Sequence, residues 1–413
     1  MHKTTLTKKD LSILIGNSLD HFDTALYGFL APILSPVFFP YEDPIVNLIL
    51  AYSVLATSIV TRPLGSYLFG YIAINSGALH SLSYSLIGVA ITTMLVGFIP
   101  NYEMIGWLAP LMLIILRIVQ GIFAEGESSI ARLYILENKV HIKAFKASYL
   151  YQASTLIGII AASFLSTILI TSNYQEYWRL CFIIGGASGF IGYLLRRYPD
   201  FQANSTAEKS VQPWRHVGLT TFWQNKSRIL SVAIITGFSY VTYIIPFVVM
   251  NSVVPLISGI SLKQMMGYNT ILLIIDMLLI PIIGNLVRKF NEIKIMVISL
   301  TVLAVTILPL WAYLDQASLA YVTFVRLWII FWGIVFLCPI NLWLNNLFNG
   351  ADKYILVGMG NALGSSIFGR LTPTICLLLW HLTNISLYIA LYIALVAVAA
   401  IWAIKTAKQE RIV

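Results

Sequence analysis

Apolar runs about twenty residues long recur along the whole of this 413-residue sequence. Wound as a helix at about 1.5 Å per residue, a run of that length crosses about 30 Å of hydrocarbon. Twelve can be counted, at roughly 11–38, 45–74, 79–100, 107–135, 145–171, 178–196, 228–258, 263–288, 293–314, 318–346, 353–381 and 384–405. Only 10% of the residues are charged and 58% are hydrophobic, whereas soluble domains are about 25% charged. The chain is therefore expected to be an all-α membrane protein with no sizeable soluble domain. A soluble catalytic domain or the output domain of a sensor has nowhere to sit. Cys181, Cys338 and Cys376 fall inside apolar runs and read as small buried hydrophobes, not as disulfide partners or metal ligands. No phosphate-binding glycine loop, metal cluster or nucleophile–base arrangement occurs, so neither enzymatic activity nor a cofactor is expected. The Lys-bearing start (Lys3, Lys8, Lys9) leads straight into the first run, and no cleavable signal is expected.

The longest polar stretch, 197–227, divides the spans six and six. It holds Pro199, Asn204, Ser205, Glu208, Lys209 and Pro213. The expected organisation is an N-terminal half 1–196, a central loop 197–227 and a C-terminal half 228–413. Trp214, Phe222 and Trp223 point to a short interfacial helix in the loop. With the N-terminus cytoplasmic, the tails and even-to-odd loops hold 19 of the 26 Lys and Arg residues. Arg179 and Lys263 fall outside, and Arg62, Arg117, Arg132, Arg326 and Arg370 lie within spans. This is a positive-inside distribution that puts both termini in the cytoplasm. The net charge of +9 thus reports topology and removes a nucleic-acid partner. Twelve spans in two six-helix halves around a basic central loop is the layout of the major facilitator fold, whose halves enclose a midplane site.

Local patterns make the resemblance narrower. The first span reads GNSLDHFDTALYGFLAP from Gly16 to Pro32, the second ends RPLGSYLFG from Arg62, and the fourth carries LRIVQG and then Gly126-Glu127-Ser128. Trp178-Arg179 opens the sixth, and Phe368-Gly369-Arg370-Leu371-Thr372-Pro373 lies in the eleventh. In order and spacing these resemble the metabolite–proton symporters of the major facilitator superfamily, which include carriers of proline and betaine, 2-oxoglutarate, citrate and shikimate. The match covers nearly all of the N-terminal half and is thinner beyond the loop. Four departures stand out. Asn75 replaces the Asp of the family's loop after span two, and the loop after span eight, Gly284 to Lys294, also lacks its Asp. Glu125 and Arg370 stand where the family tends to have Gly.

The resemblance implies a proton-coupled secondary transporter in the bacterial inner membrane, a monomer whose partners are a small-molecule solute, protons and lipid. Arg in excess of the family pattern tilts the expected solute towards a carboxylate or polycarboxylate, citrate-like and extending to a carboxylate siderophore. A proline- or betaine-type zwitterion is the alternative, as is an exporter or an uncoupled facilitator of the same fold.

An ionisable residue inside the hydrocarbon costs at least about 2.5–3.5 kcal/mol, so each marks a candidate site. Asp20 and Asp23 are three apart and share a helix face. Two partly desolvated carboxylates there can load and release a proton, or one can pair with Arg117 or Arg132. By helix rise Asp20 and Glu127 are each about 13 Å from the cytoplasmic ends of their spans, a depth at which they can meet. Glu125 is about 200° around the helix from Glu127, so the two cannot both face the cavity. The resemblance makes Glu127 the inward one, and Glu125 is then expected to face a neighbouring helix, with Arg132 as a candidate partner. Arg117, with Gln120 and Gly121, either takes part in coupling or holds helices together. Arg62, near the cytoplasm, is expected to snorkel. Arg370 follows a run of small residues that lets helices pack closely or kink. It either pairs with Asp276 of span eight or offers its fork to an anionic substrate. Arg326 is a second candidate for that role, or an entrance charge. Tyr27, Tyr151, Gln152 and Tyr243 are candidate substrate contacts, with Asn361 and, behind it, Asn341, Asn345 and Asn346. His21 reads as packed and hydrogen-bonded, with a proton relay beside the two Asp as the alternative.

Overall fold

The computed structural model describes residues 8–137, 142–172, 174–196, 219–287, 289–345, 347 and 353–407. Among them there is no strand, and twelve helical rods follow one another. The first is Lys8–Phe38; the second joins Pro44–Ser53 to Ser58–Ser76 through a 3-10 turn, Val54–Thr57. Ala78–Gly97, Leu108–Glu137, Ile142–Thr171 and Trp178–Arg196 are the third to sixth. The seventh runs Leu219–Ile244, passes through a π-helical turn at Ile245–Val249 and ends as Met250–Ile257. Leu262–Val287, Glu292–Ala312 and Leu319–Asn345 are the eighth to tenth. The eleventh is Lys353–Gly364, a π-helical segment Ser365–Arg370 and Thr372–Thr383; the twelfth is Leu387–Thr406. Among the described residues, ten helices are long and apolar enough to cross a membrane. The first rod, with Asn17, Asp20, His21 and Asp23 along it, and the sixth complete the twelve. The seventh helix begins at Leu219, so Phe222 and Trp223 belong to its first turns. The loop 197–218 with Trp214 lies outside the described residues, as do the side chains of Asn75, Arg132, Asn341, Asn345 and Asn346.

Local chemistry sets several helix ends. Asp43 caps the second span by accepting from the Ile45 amide at 2.8 Å, with Pro44 in the first turn, where its missing N–H costs nothing. Gly77, at φ +93°, turns the chain between the second and third spans in a conformation side chains disfavour. Asn384 closes the eleventh in the left-handed region.

The chain forms two compact units. One comprises Met1–Leu30, Val60–Leu169 and Tyr174–Arg215; the other comprises Ala31–Ile59, Ile170–Asn173 and His216–Val413. The first unit is closed by small residues, because lipid offers no hydrophobic drive between helices and close approach supplies the packing. A Cβ on Gly65 would lie 2.2 Å from the Ile122 carbonyl oxygen, so the second and fourth spans touch backbone to backbone. Gly121 faces Thr61 in the same seam. Gly158 lies against the Ser18 carbonyl and seats the fifth span on the first.

In the second unit Gly360 and Gly364 bring the eleventh span onto Val232, Ala233 and Thr236 of the seventh. Phe238 meets Phe336 edge-on at 5.0 Å. Segment 31–59 is tied into this unit by Tyr52, whose hydroxyl bonds Ser252 at 3.0 Å, and by Ser366, which donates to the Ser58 carbonyl at 3.0 Å. The π-helical turn of the seventh span contains Pro246, which removes one backbone donor from the helical ladder.

Candidate functional site

In the first unit the first and fourth spans bring Asp23 and Arg117 together. A guanidinium Nη1 donates to Asp23 Oδ2 at 3.1 Å, with both side chains almost sealed. Arg117 also donates to Gln120, one turn along its own helix, and Gln120 donates to Thr93 of the third span at 2.8 Å. The guanidinium lies 4.3 Å from the centre of the Tyr27 ring, a cation–π arrangement. Its Nε and Nη2, and the second Asp23 oxygen, have no hydrogen-bond partner among the described residues. The pair is buried but incompletely satisfied, so a proton on Asp23 would release a cation with spare donors.

One turn earlier a denser network joins the first and fifth spans. Asn17 donates to Ser154 and Thr155 at 2.8 Å each and to the Tyr151 carbonyl at 3.2 Å; Ser18 donates to the Ser154 carbonyl. His21 Nδ1 is 2.9 Å from the Asn17 carbonyl and 3.9 Å from Asp20. Asp20 is 2% exposed. Asp20 and Asp23 therefore share a helix but engage different neighbours. Glu127 is fully buried and accepts from Ser85 of the third span at 3.2 Å. Tyr151 is packed in the core with its hydroxyl on the Ser128 carbonyl at 3.1 Å, and Gln152 is half-buried.

The second unit holds a cluster of another kind. Arg326 of the tenth span is 1% exposed. It donates to Asn269 and, at 3.4 Å, to the Met265 carbonyl, both on the eighth span. Asn269 also accepts from Asn251 of the seventh at 3.1 Å. Among the described residues Arg326 has no carboxylate partner, and its Nε has no acceptor. Asp276 lies two turns beyond Asn269, on the same face of the eighth span. It is 7% exposed and has neither a hydrogen bond nor an ion pair among the described residues. The Tyr243 hydroxyl, within electrostatic reach of Asp276, is likewise without a hydrogen bond. Arg370 ends the π-helical segment of the eleventh span, half-buried, and Asn361 is buried three residues ahead of Gly364.

Three expectations change. Arg62 does not snorkel: it is 6% exposed and donates to Glu125 at 3.0 Å, while the side chain of Arg132 lies outside the described residues. The pair lies between the same two spans that Gly65 and Gly121 bring into close approach. Arg326 is not an entrance charge, because it is buried between the eighth and tenth spans. Asp276 does not pair with Arg370. Thr93, Asn251 and Asn269 were missed, since each is an ordinary polar residue in an apolar run. The one available signal was the seven-residue spacing from Asn269 to Asp276.

The similarities are to carriers. The chain is 26% identical over 402 residues to the alpha-ketoglutarate permease of Escherichia coli strain K12, covering 93% of this chain and 90% of that one. It is 29% identical over 253 residues to the proline/betaine transporter of the same strain, covering 57% of this chain and about half, 51%, of that relative. The crystal structure of a D-xylose-proton symporter superposes with a TM-score of 0.76 at 16% identity, covering 98% of both chains, a likeness of fold. Residues 13–368 match the Major Facilitator Superfamily, and the chain belongs to that family as a multi-pass transporter of the bacterial inner membrane rather than an enzyme.

Proposed function

We propose that this transporter moves a small organic carboxylate or polycarboxylate by alternating access, coupled to protons. The observation that carries this is Arg326, a sealed guanidinium for which the described residues supply no acid. An unneutralised buried cation is costly, and a planar fork suits a carboxylate. Arg370 is the second candidate donor, with Tyr243, Gln152 and Asn361 as neutral contacts. The Asp23–Arg117 pair is the candidate coupling element, with Asp20 and Glu127 behind it. Protonation of Asp23 would free Arg117, which gives the two states that coupling requires. The resemblance to an alpha-ketoglutarate permease along nearly the whole chain agrees with this reading. The distribution of Lys and Arg in the sequence supports cytoplasmic termini.

A zwitterion is the second reading, and Asp276 is what favours it. A cationic nitrogen would neutralise this acid while Arg326 took the carboxylate. The test is thermal unfolding of the purified protein with 2-oxoglutarate, citrate, proline or betaine. A ligand at 100 times its Kd adds about 2.7 kcal/mol. Stabilisation by the carboxylates that disappears in Arg326→Gln is expected. Stabilisation by proline or betaine alone would replace the carboxylate with the zwitterion.

A further inference from the structure

We infer that Asp276 is a second proton-binding site, separate from Asp23 and lodged in the other compact unit. The inference deepens the proton-coupled carboxylate reading and rests on it, since in that reading no cationic part of the solute is left to neutralise Asp276.

Asp276 is fourteen residues into the eighth span, about 21 Å along a helix of 26 residues, and therefore deep in the hydrocarbon. It is 7% exposed. Groups on two other spans face it. Tyr243 of the seventh lies within its electrostatic reach, with an unpartnered hydroxyl. Cys338 of the tenth does too, and its thiol contacts the Ile280 carbonyl one turn along from Asp276 at 3.9 Å. Neither group is cationic. The nearest Arg on those elements, Arg326, is bonded instead to Asn269 and Met265, two turns or more away. An ionised carboxylate in such a place has no cation among the described residues to offset its desolvation, whereas the neutral acid costs far less. Asp23 is the opposite case, an acid with a guanidinium at 3.1 Å. One protein thus carries two deep acids in opposed settings. Asp276 holds its proton while sealed and exchanges it when the site opens.

The test is pH-titrated infrared difference spectroscopy of the full chain in nanodiscs, with no solute present. The band of a protonated carboxylic acid is expected near neutral pH. It should vanish in Asp276→Asn, persist in Asp23→Asn and move in frequency in Tyr243→Phe, which also serves if Asp276→Asn does not fold. An unchanged band in Asp276→Asn, or no frequency shift in Tyr243→Phe, overturns the site. Replacing choline by sodium should leave the titration where it is; displacement by sodium would assign the site to a metal cation instead. Proton movement with 2-oxoglutarate is measured separately in proteoliposomes. If it is absent while the Asp276 band titrates, the coupling reading fails and the protonation site stands.

Discussion

Arg62 and Glu125 meet at 3.0 Å inside the glycine-lined seam between the second and fourth spans, where Glu125 has no exposed surface. Two charges there sacrifice hydration that their mutual attraction barely returns, and the loss of one partner is worse than the loss of both. Arg62→Met alone is expected to lower stability by about 3–5 kcal/mol. Arg62→Met combined with Glu125→Leu should recover most of that loss. Unfolding in nanodiscs reads both. A double variant as unstable as the single would mean the pair does not account for the cost.

The glycine seams give a second, purely steric prediction. A Cβ on Gly158 would sit 1.9 Å from the Ser18 carbonyl oxygen, while one on Gly70 meets nothing within 4 Å. Gly158→Ala must push the fifth span off the first and strain the Asn17 and Ser18 hydrogen bonds, at about 1–3 kcal/mol. Gly70→Ala, in a helix with open space, should gain about 0.5–1 kcal/mol. Equal melting temperatures for the two variants would show that close approach at Gly158 does not hold the first unit together.

The spans could be read from the sequence because hydrocarbon thickness fixes their length and leaves few other ways to bury the chain. The Asp23–Arg117 pair was within reach too, as one of two partners left open, because both residues are charges at spanning depth. The Arg62–Glu125 contact was not legible. It depends on the rotation of one helix about another, which Gly65 and Gly121 fix through contacts tens of residues apart in sequence. The Arg326 cluster was hidden differently: Asn251 and Asn269 carry no charge and no motif, and only the packing of the seventh, eighth and tenth spans gives them a common neighbour.

Asp23 and Arg117 should separate coupling from folding. Asp23→Asn removes the titratable group but keeps its shape, so a pH gradient should no longer concentrate the solute, while exchange of solute across the membrane continues. Arg117→Ala leaves the Asp23 carboxylate buried and alone, at an expected cost of about 3–5 kcal/mol. Asp23→Asn added to Arg117→Ala should restore part of the fold without restoring accumulation. Both are measured in proteoliposomes alongside a melting curve. Full gradient-driven accumulation by Asp23→Asn would remove this pair from the mechanism.

Arg326 yields the prediction that separates a binding group from a structural one. A structural cation loses stability when it is removed. A cation kept for an anionic solute is already poorly served in the solute-free protein, and here, among the described residues, Nε lacks an acceptor and no carboxylate pairs with the guanidinium. Arg326→Gln should therefore leave stability unchanged or raise it, because the amide can still donate to Asn269 and the buried charge is gone. Carboxylate binding should weaken by about 2 kcal/mol or more, roughly 30-fold in Kd. Arg326→Lys keeps the charge but loses the planar fork and should fall between, about tenfold weaker than the parent. Calorimetric titration with 2-oxoglutarate beside a melting curve reads both effects. A glutamine variant that binds as the parent does but melts several degrees lower would make Arg326 a packing residue, and would leave Arg370 to receive the anion.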